Sequence, residues 1–454
     1  MAVAKQLARI VGAKAVLTDP GDLAAFATDA KIEGRSPLAV AFVTSTQQVQ
    51  RIVRLCGERR LALIPRGAGT GTVGGAVPET DAIVLDLSRL NRILEIDTAN
   101  LLADLEPGVI LSDFQREVES RGLFYGPDPA SRDTCSLGGN AATNAGGLRA
   151  IKYGVTADWI KGLDVVPASG DLIHTGTRTI KGVVGYDLTH LFVGSEGTLG
   201  VITGLTVRLM PKPPEKQTLL AVFATLRRAG DAVLAVMRGP VTPAAMEIMD
   251  ATTIDAVRGH IGDSIPAGHA ALLLEVNGDR EAVSREAAVL EKLLGEADAA
   301  WVRRATDPEE ADELWAARRA ISPAIYEIRP KKLADDVAVP IARLVDLFEG
   351  VAKIAAEHKA LHACYGHAGD GNVHVNFPYD PADSGETYRA RQAREQMLRL
   401  TLKLGGTLSG EHGIGSAKRP FLPWEQGPAL LALQKRLKRA FDPQGILNPG
   451  KVFP

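Results

Sequence analysis

Two histidines seven residues apart, His367 and His374, bracket the turn signal Gly369-Asp370-Gly371 in the stretch Cys364–Phe377. If Asp370-Gly371 forms a two-residue hairpin turn, residues 367 and 374 lie directly opposite one another. Opposed side chains have Cβ atoms about 4.5–5.5 Å apart, close enough for two imidazoles to share one metal ion. Period-two alternation then puts Asn372, His374 and Asn376 on one face and Val373, Val375 and Phe377 on the other. Taken alone, such a pair also fits a polar hairpin with two ordinary surface histidines. A second feature favours the metal. The glycine-rich stretch Gly405–Gly415 carries Glu411 beside His412. Two histidines and one glutamate are a common ligand set for a catalytic divalent ion with open positions, which leaves His412 for proton transfer.

The elements that must position these groups belong to a long, ordinary chain. At 454 residues, 45% hydrophobic and 23% charged, it is too long for one core and should divide into domains. A net charge of −2 carries no nucleic-acid footprint. Cys56, Cys135 and Cys364 are widely spaced and odd in number, which suits reduced thiols in a cytoplasmic setting and excludes cluster or zinc spacing. Lys5, Arg9 and Lys14 interrupt the apolar N-terminus, as in an amphipathic helix rather than a signal peptide. No apolar run reaches membrane-spanning length, so any membrane contact is expected to be peripheral.

In the first half, strands are expected at 37–44, 61–64, 82–87 and 101–105, with helices at 46–60 and 112–120. Gly69, Gly71 and Gly74 satisfy G-x-G-x-x-G after a strand, but Gly75 and Pro78 follow where a dinucleotide fold needs a helix. The loop is read instead as bare backbone N–H groups cradling a pyrophosphate, with Arg66 supplying charge. Two further glycine-rich regions, 126–147 and 179–202, leave little side chain to build a core, so backbone must approach something closely, and a planar cofactor would explain that. Ser195 lacks the frame of a nucleophile elbow. Around Pro211–Pro214 the glycine-rich character stops, marking a boundary. Beyond it, strands such as 218–223 and 270–276 alternate with helices such as 281–294 and 341–358: an α+β domain, expected as an antiparallel sheet with helices on one face. The tail, with a helix at 429–440, is apolar enough to pack back on the first domain.

In order, Pro65–Gly71, Pro127–Ser131, Gly138–Asn140 through Asn144–Gly146, Gly185–Asp187, Gly194–Gly197, His367–His374, Glu411-His412-Gly413 and Asn448-Pro449-Gly450 resemble the vanillyl-alcohol oxidase/p-cresol methylhydroxylase flavoprotein superfamily. The branch resembled is that of FAD-linked D-2-hydroxy acid dehydrogenases, which includes D-lactate dehydrogenase, D-2-hydroxyglutarate dehydrogenase and the flavin-linked component of glycolate oxidase. The resemblance implies a two-part FAD-binding domain at 1–212, a substrate or cap domain carrying the metal site at 213–420, and a segment at 421–454 that returns to the FAD domain. It implies non-covalent FAD held by Pro65, Arg66, Gly67, Ala68, Gly69, Thr70 and Gly71, by Pro127, Asp128 and Ser131, by Gly138, Gly139, Asn140, Asn144 and Gly146, and by Gly185, Ser195, Glu196, Val201, Ile202 and Asn448. It further implies a divalent metal, zinc or manganese, on His367, His374 and Glu411. His412 would take the hydroxyl proton as hydride leaves C2 of the substrate, and Arg318 would bind its carboxylate as a bidentate fork. Ser322, Lys332 and Asn376 are the further substrate contacts, with D-lactate first among substrates and glycolate next. The glycine loops hold no histidine for covalent flavin, and His174 and His190 lie outside the family's attachment positions. No cluster cysteines are present, so electrons would pass to a separate acceptor: a quinone, an electron-transfer flavoprotein or an iron–sulfur subunit. A homodimer is also compatible. Outside that family, the same His, His, Glu set would serve a metal-dependent hydrolase with a nucleotide in the glycine loops.

Overall fold

The structure, a computed structural model, describes residues 2–258 and 265–454. The chain divides into two compact units: unit one comprises Met1–Gly146, Gly154–Lys212 and Glu411–Pro454, and unit two comprises Gly147–Tyr153 and Pro213–Gly410. The crossing at 212/213 falls where the glycine-rich character stops. The return to unit one falls at 411, where the loop after Glu411 is bound within that unit. Ser416 donates its N–H to Val73 at 2.9 Å, and the N–H groups of Ile414 and Gly415 both reach the Glu196 carboxylate. The excursion 147–153 joins unit two because Lys152 Nζ and Tyr153 Oη both bond the Asn277 side-chain oxygen, at 2.9 and 2.7 Å.

In unit one the first sheet has the order Val16–Leu17, Ala39–Phe42, Ala82–Asp86, Ala62–Arg66, its last three strands parallel. The helix Thr46–Arg59 starts where Ser45 accepts from Gln48 N–H, and it stops at Arg60, which takes a left-handed φ of 53°. Its Val49, Ile52, Val53 and Cys56 recur at helical spacing and enter one core with Ala39, Ala41, Leu63, Ile83 and Leu85. Truncating fully buried Ile52 to Ala would cost about 2–5 kcal/mol, from lost transfer and the cavity left behind. The outer edge of Ala62–Arg66 is covered by the C-terminal segment: Leu63 donates to Ile446, and Asn448 donates back to Leu63, both at 2.8 Å. A second, antiparallel sheet runs Ile93–Asp97, Leu102–Leu105, Val201–Arg208, Ile160–Val166, Ile173–Gly176.

Unit two is built on seven antiparallel strands in the order Trp301–Arg304, Glu215–Phe223, Ala270–Gly278, Ala245–Met249, Ala363–His367, Asn372–Tyr379, Lys331–Ala338. The helices Leu226–Arg238, Arg280–Glu296, Leu344–His358 and Ser384–Lys403 form one layer, close-packed where a Cβ on Gly350 would overlap Leu400. The expectation of helices on one face needs correction. Pro308–Ile328 covers the other face, where Trp315, Ile321, Ala324 and Ile325 share a core with Leu220, Val222, Ala245, Ala363 and Tyr365. Apolar residues on both faces of these strands are what a sheet covered on both sides requires.

Candidate active site

The hairpin differs from its expected register by two residues. His367 pairs with Asn372 and Tyr365 pairs with His374, so the loop is Ala368–Gly371 rather than Asp370-Gly371 alone. Gly371 adopts φ +78°, with its Cβ direction closed by the Val339 carbonyl, and its N–H returns to His367 O at 3.1 Å. A shift of two keeps every side chain on its face. His367 and His374 are therefore diagonal rather than opposed neighbours, and their imidazoles still meet, Nε2 to Nε2 at 3.4 Å with the rings at 89°. Two imidazole nitrogens on one tetrahedral zinc, at bonds of about 2.0–2.1 Å, stand roughly 3.3–3.4 Å apart, so this pair fits a shared ion. Glu411 follows directly after Gly410, where an added Cβ would overlap the amide of Asn372, at the start of the hairpin's second strand.

Three buried groups around the pair escape a reading of the sequence alone. Glu247, fully buried on the central strand, is the register partner of His367, and its Oε1 lies 2.5 Å from His367 Nδ1. Its Oε2 accepts from Arg318 Nε at 2.7 Å, with Arg318 Nη2 at 2.5 Å. Burial pushes this carboxyl upward, but Arg318 and His367 outweigh it and hold Glu247 below the usual glutamate range. An ionised acceptor at Nδ1 makes that nitrogen the donor, so in the neutral ring the Nε2 lone pair faces His374. Asp336, also fully buried, is the register partner of His374. Tyr365 lies under Arg318, whose Cζ is 4.6 Å from the ring centre. Burial raises the Tyr365 hydroxyl, which bonds to Ser322 and Asn376. Among the expected substrate contacts, Lys332 Nζ donates to the Ser322 carbonyl and hydroxyl, at 2.9 and 2.8 Å. Asn376 donates its amide to the carbonyls of Ala363 and His374, each at 3.3 Å. Arg318 is 8% exposed, and because one edge of its guanidinium is held by Glu247, a carboxylate fork has the Nη1/Nη2 end left to it.

In unit one the three glycine-rich regions converge. Glu196 N–H donates to Ala142 O and Gly194 N–H to Ala141 O, at 2.8 and 2.9 Å, and Gly197 packs on Pro65. Gly67 is required sterically: a Cβ there would collide with the Ser136 hydroxyl, which caps the helix Leu137–Thr143. Between Arg66 and Ala82 the chain forms no helix, as the loop reading expected. Arg66 ends the strand that enters this loop. Its guanidinium is buried, donates to Thr28 O and Ala76 O at 2.9 and 3.3 Å, and braces the loop from beneath. Glu196 is buried, with Oε1 and Oε2 each accepting a backbone N–H at 2.8 Å, and it pins the loop carrying Glu411 and His412. Asn144, in a left-handed cap at φ 52°, accepts from Ala157 N–H at 2.8 Å. Asp128 pairs with Arg132, and the Pro127 carbonyl accepts from Gln115. Gly185 lies on an exposed loop beside Tyr186, which is 95% exposed, and nothing stands near its Cβ direction. Val201 and Ile202 are buried in the strand Val201–Arg208. Polar atoms buried without a partner remain where these regions meet: the Thr72 hydroxyl and the Asn448 Oδ1, Asn448 having its Nδ2 on Gly75 O and Glu196 O. Converging bare backbone with such atoms fits a dinucleotide, and these residues could hold FAD.

Residues 37–176 match the family described as FAD binding domain, and residues 212–452 match FAD linked oxidases, C-terminal domain. The chain is 41% identical over 418 residues to the glycolate oxidase subunit GlcD of Bacillus subtilis, covering 92% of this chain and 89% of that protein. It is 33% identical to a D-lactate dehydrogenase of Anaerostipes hadrus, over 92% of this chain and 89% of the relative. It is likewise 33% identical to a D-2-hydroxyglutarate dehydrogenase of Stutzerimonas stutzeri, over 100% and 99%. The structure of p-cresol methylhydroxylase with substrate bound superposes with a TM-score of 0.85 at 20% identity, covering 99% of this chain and 96% of that one, a likeness of fold. Arrived at from its converging glycine loops and from these matches along nearly its whole length, the chain is an FAD-linked oxidoreductase and belongs to the FAD-linked oxidase family.

Proposed function

We propose that the chain oxidises a short D-2-hydroxy acid, D-lactate first, to the 2-oxo acid. The observation that carries the reading is the imidazole pair of His367 and His374, 3.4 Å apart at Nε2, beside a buried arginine on the same acid. FAD, when bound by the converging glycine loops, supplies the acceptor for hydride from C2. A zinc or manganese ion held by His367, His374 and Glu411 would supply Lewis acidity toward the substrate hydroxyl. Arg318 offers its Nη1/Nη2 end to the substrate carboxylate, and its plane is set by Tyr365 beneath its face and Glu247 at its edge. His412 takes the hydroxyl proton as general base. The loop holding it is fixed by Glu196, so the base is presented from a pinned backbone.

A second reading, glycolate oxidation as one subunit of an assembly, is favoured by the 41% identity to the Bacillus subtilis GlcD subunit. In either case a separate acceptor, a quinone, an electron-transfer flavoprotein or an iron–sulfur subunit, reoxidises the flavin. Anaerobic mixing with D- and L-lactate, glycolate and D-2-hydroxyglutarate separates these readings. Rapid flavin bleaching by D-lactate but not L-lactate is expected; bleaching by glycolate alone supports the subunit reading, and bleaching by none of them refutes the activity.

A further inference from the structure

Glu247 lies in Ala245–Met249, a strand with every residue buried in the middle of the seven-stranded sheet. An ionised carboxylate at such a place costs several kcal/mol unless its charge and lone pairs are met, so its retention calls for a local reason. A simple ion pair with Arg318 would engage one edge of the acid. Here Oε2 serves Arg318, while Oε1 serves the ring nitrogen of His367 that points away from His374. The contact with His367 is set by backbone register, since the two residues are direct cross-strand partners. The other histidine repeats the arrangement at the level of the sheet, with fully buried Asp336 as the register partner of His374. Each histidine of the hairpin thus has an acid opposite it on the adjoining strand.

We propose that Glu247 is a positioning residue that acts on both halves of the substrate site at once. It holds His367 as the Nδ1–H tautomer, so that Nε2 presents its lone pair to a metal, and it holds the Arg318 guanidinium by one edge, so that the opposite end meets the substrate carboxylate. The inference rests on the metal reading given under Proposed function. Its consequence is that metal affinity and carboxylate recognition share a residue that touches neither metal nor substrate.

The test is Glu247→Gln, which keeps shape but can accept from only one partner and presents an NH2 to the other. The FAD-loaded protein is stripped with chelator and titrated with zinc. The zinc Kd is expected to weaken about 10- to 100-fold, the usual range for losing an outer-shell partner of a ligating histidine. KM for the hydroxy acid is expected to rise roughly 10-fold, while FAD content stays at the wild-type level. Because Gln leaves Arg318 buried beside a neutral amide, Glu247→Gln/Arg318→Met is made alongside, removing both charges while still depriving His367 of its acid. A zinc Kd within twofold of wild type in either folded variant overturns the proposal. The 15N spectrum of histidine-labelled protein reads the tautomer directly: His367 should carry its proton on Nδ1 in the wild type and lose that preference in Glu247→Gln. Wild-type protein that takes up neither zinc nor manganese overturns the metal reading instead. Glu247 is then judged on the 15N signal, and absence of the Nδ1–H form in the wild type refutes its role.

Discussion

Glu196→Gln should free the loop that carries Glu411 and His412. The side chain is 7% exposed, and its two oxygens accept from Ile414 N–H and Gly415 N–H, each at 2.8 Å. A hydrogen bond to a charged group contributes about 1.5–3 kcal/mol, and a carboxamide keeps one acceptor while turning an NH2 toward the other donor. One bond is lost and the other weakened from charged to neutral, while burial, which pushes the Glu196 carboxyl up despite these two bonds and the nearby Lys451 and Lys418, makes the neutral side chain cheaper to bury and offsets part of that loss. The sum is about 2–4 kcal/mol against the closed loop, roughly a 30- to 700-fold rise in its opening equilibrium at about 1.4 kcal/mol per decade. Native-state hydrogen exchange of the peptide spanning residues 411–419 should accelerate by that factor, while the core of the strand Ala82–Asp86 exchanges as before. Turnover with D-lactate should fall as the fraction of molecules with His412 in place declines. Unchanged protection at Ile414 and Gly415 would refute the pinning role; faster exchange with full turnover would refute the claim that pinning presents the base.

His412→Ala should lower kcat about 10²–10⁴-fold while zinc and FAD content stay near normal, whereas His374→Ala should empty the metal site; loss of metal from His412→Ala would make it a ligand rather than the base. Exhaustive chelation should abolish turnover but leave the yellow colour, because the loops assigned to FAD lie in unit one and His367 and His374 in unit two; absorbance of the chelated, desalted protein checks this. Acid precipitation should release all the flavin into the supernatant, and flavin retained on the polypeptide would show a covalent bond. Burial pushes the Asp250 carboxyl up to about 6 from an ordinary 3.8. Its folded value is the higher one, so its contribution to stability is complete below about pH 3.8 and is lost as pH rises through 6. A gap of about two pH units corresponds to about 3 kcal/mol. Asp250→Asn lacks this dependence, so its melting temperature relative to wild type should climb between pH 4 and 7, and a flat difference would count against the shift.

Local signals carry the fold where the fold is local. Ser45-Thr46 before an apolar helical run, where the structure makes Ser45 the cap, the glycine loop entering a strand rather than a helix, and alternation through Asn372–Phe377 all reappear in the structure. The hairpin register departs from expectation because Asp-Gly is a strong two-residue turn signal, whereas Val339 donates its N–H to the Gly371 carbonyl at 3.0 Å and holds a four-residue loop; nothing within the hairpin reveals that neighbour. Parity survives the shift, and with it the pairing of the two imidazoles. Glu247 is illegible for a different reason: in Ala-Met-Glu-Ile-Met it reads as a solvent-facing residue of an alternating strand, and its partners are 71 and 120 positions away. Arg66 and Glu196 sit inside motifs that suggest a cofactor, and only their three-dimensional partners show that they hold the motifs in shape.

The edge strand Ala62–Arg66 is completed by Ile446–Asn448, residues made only after the whole of unit two has left the ribosome. Until then a nascent chain carries an apolar strand with one unpaired edge, the kind of template on which copies associate. The loop with Glu411 and His412 and the amide of Asn448 arrive with the same late segment. Because the Asn448 amide bonds Gly75 O and Glu196 O, the glycine loops of unit one take their final form only after synthesis has passed residue 448, and a chain terminated shortly before that point would be prone to aggregate rather than merely to be slow.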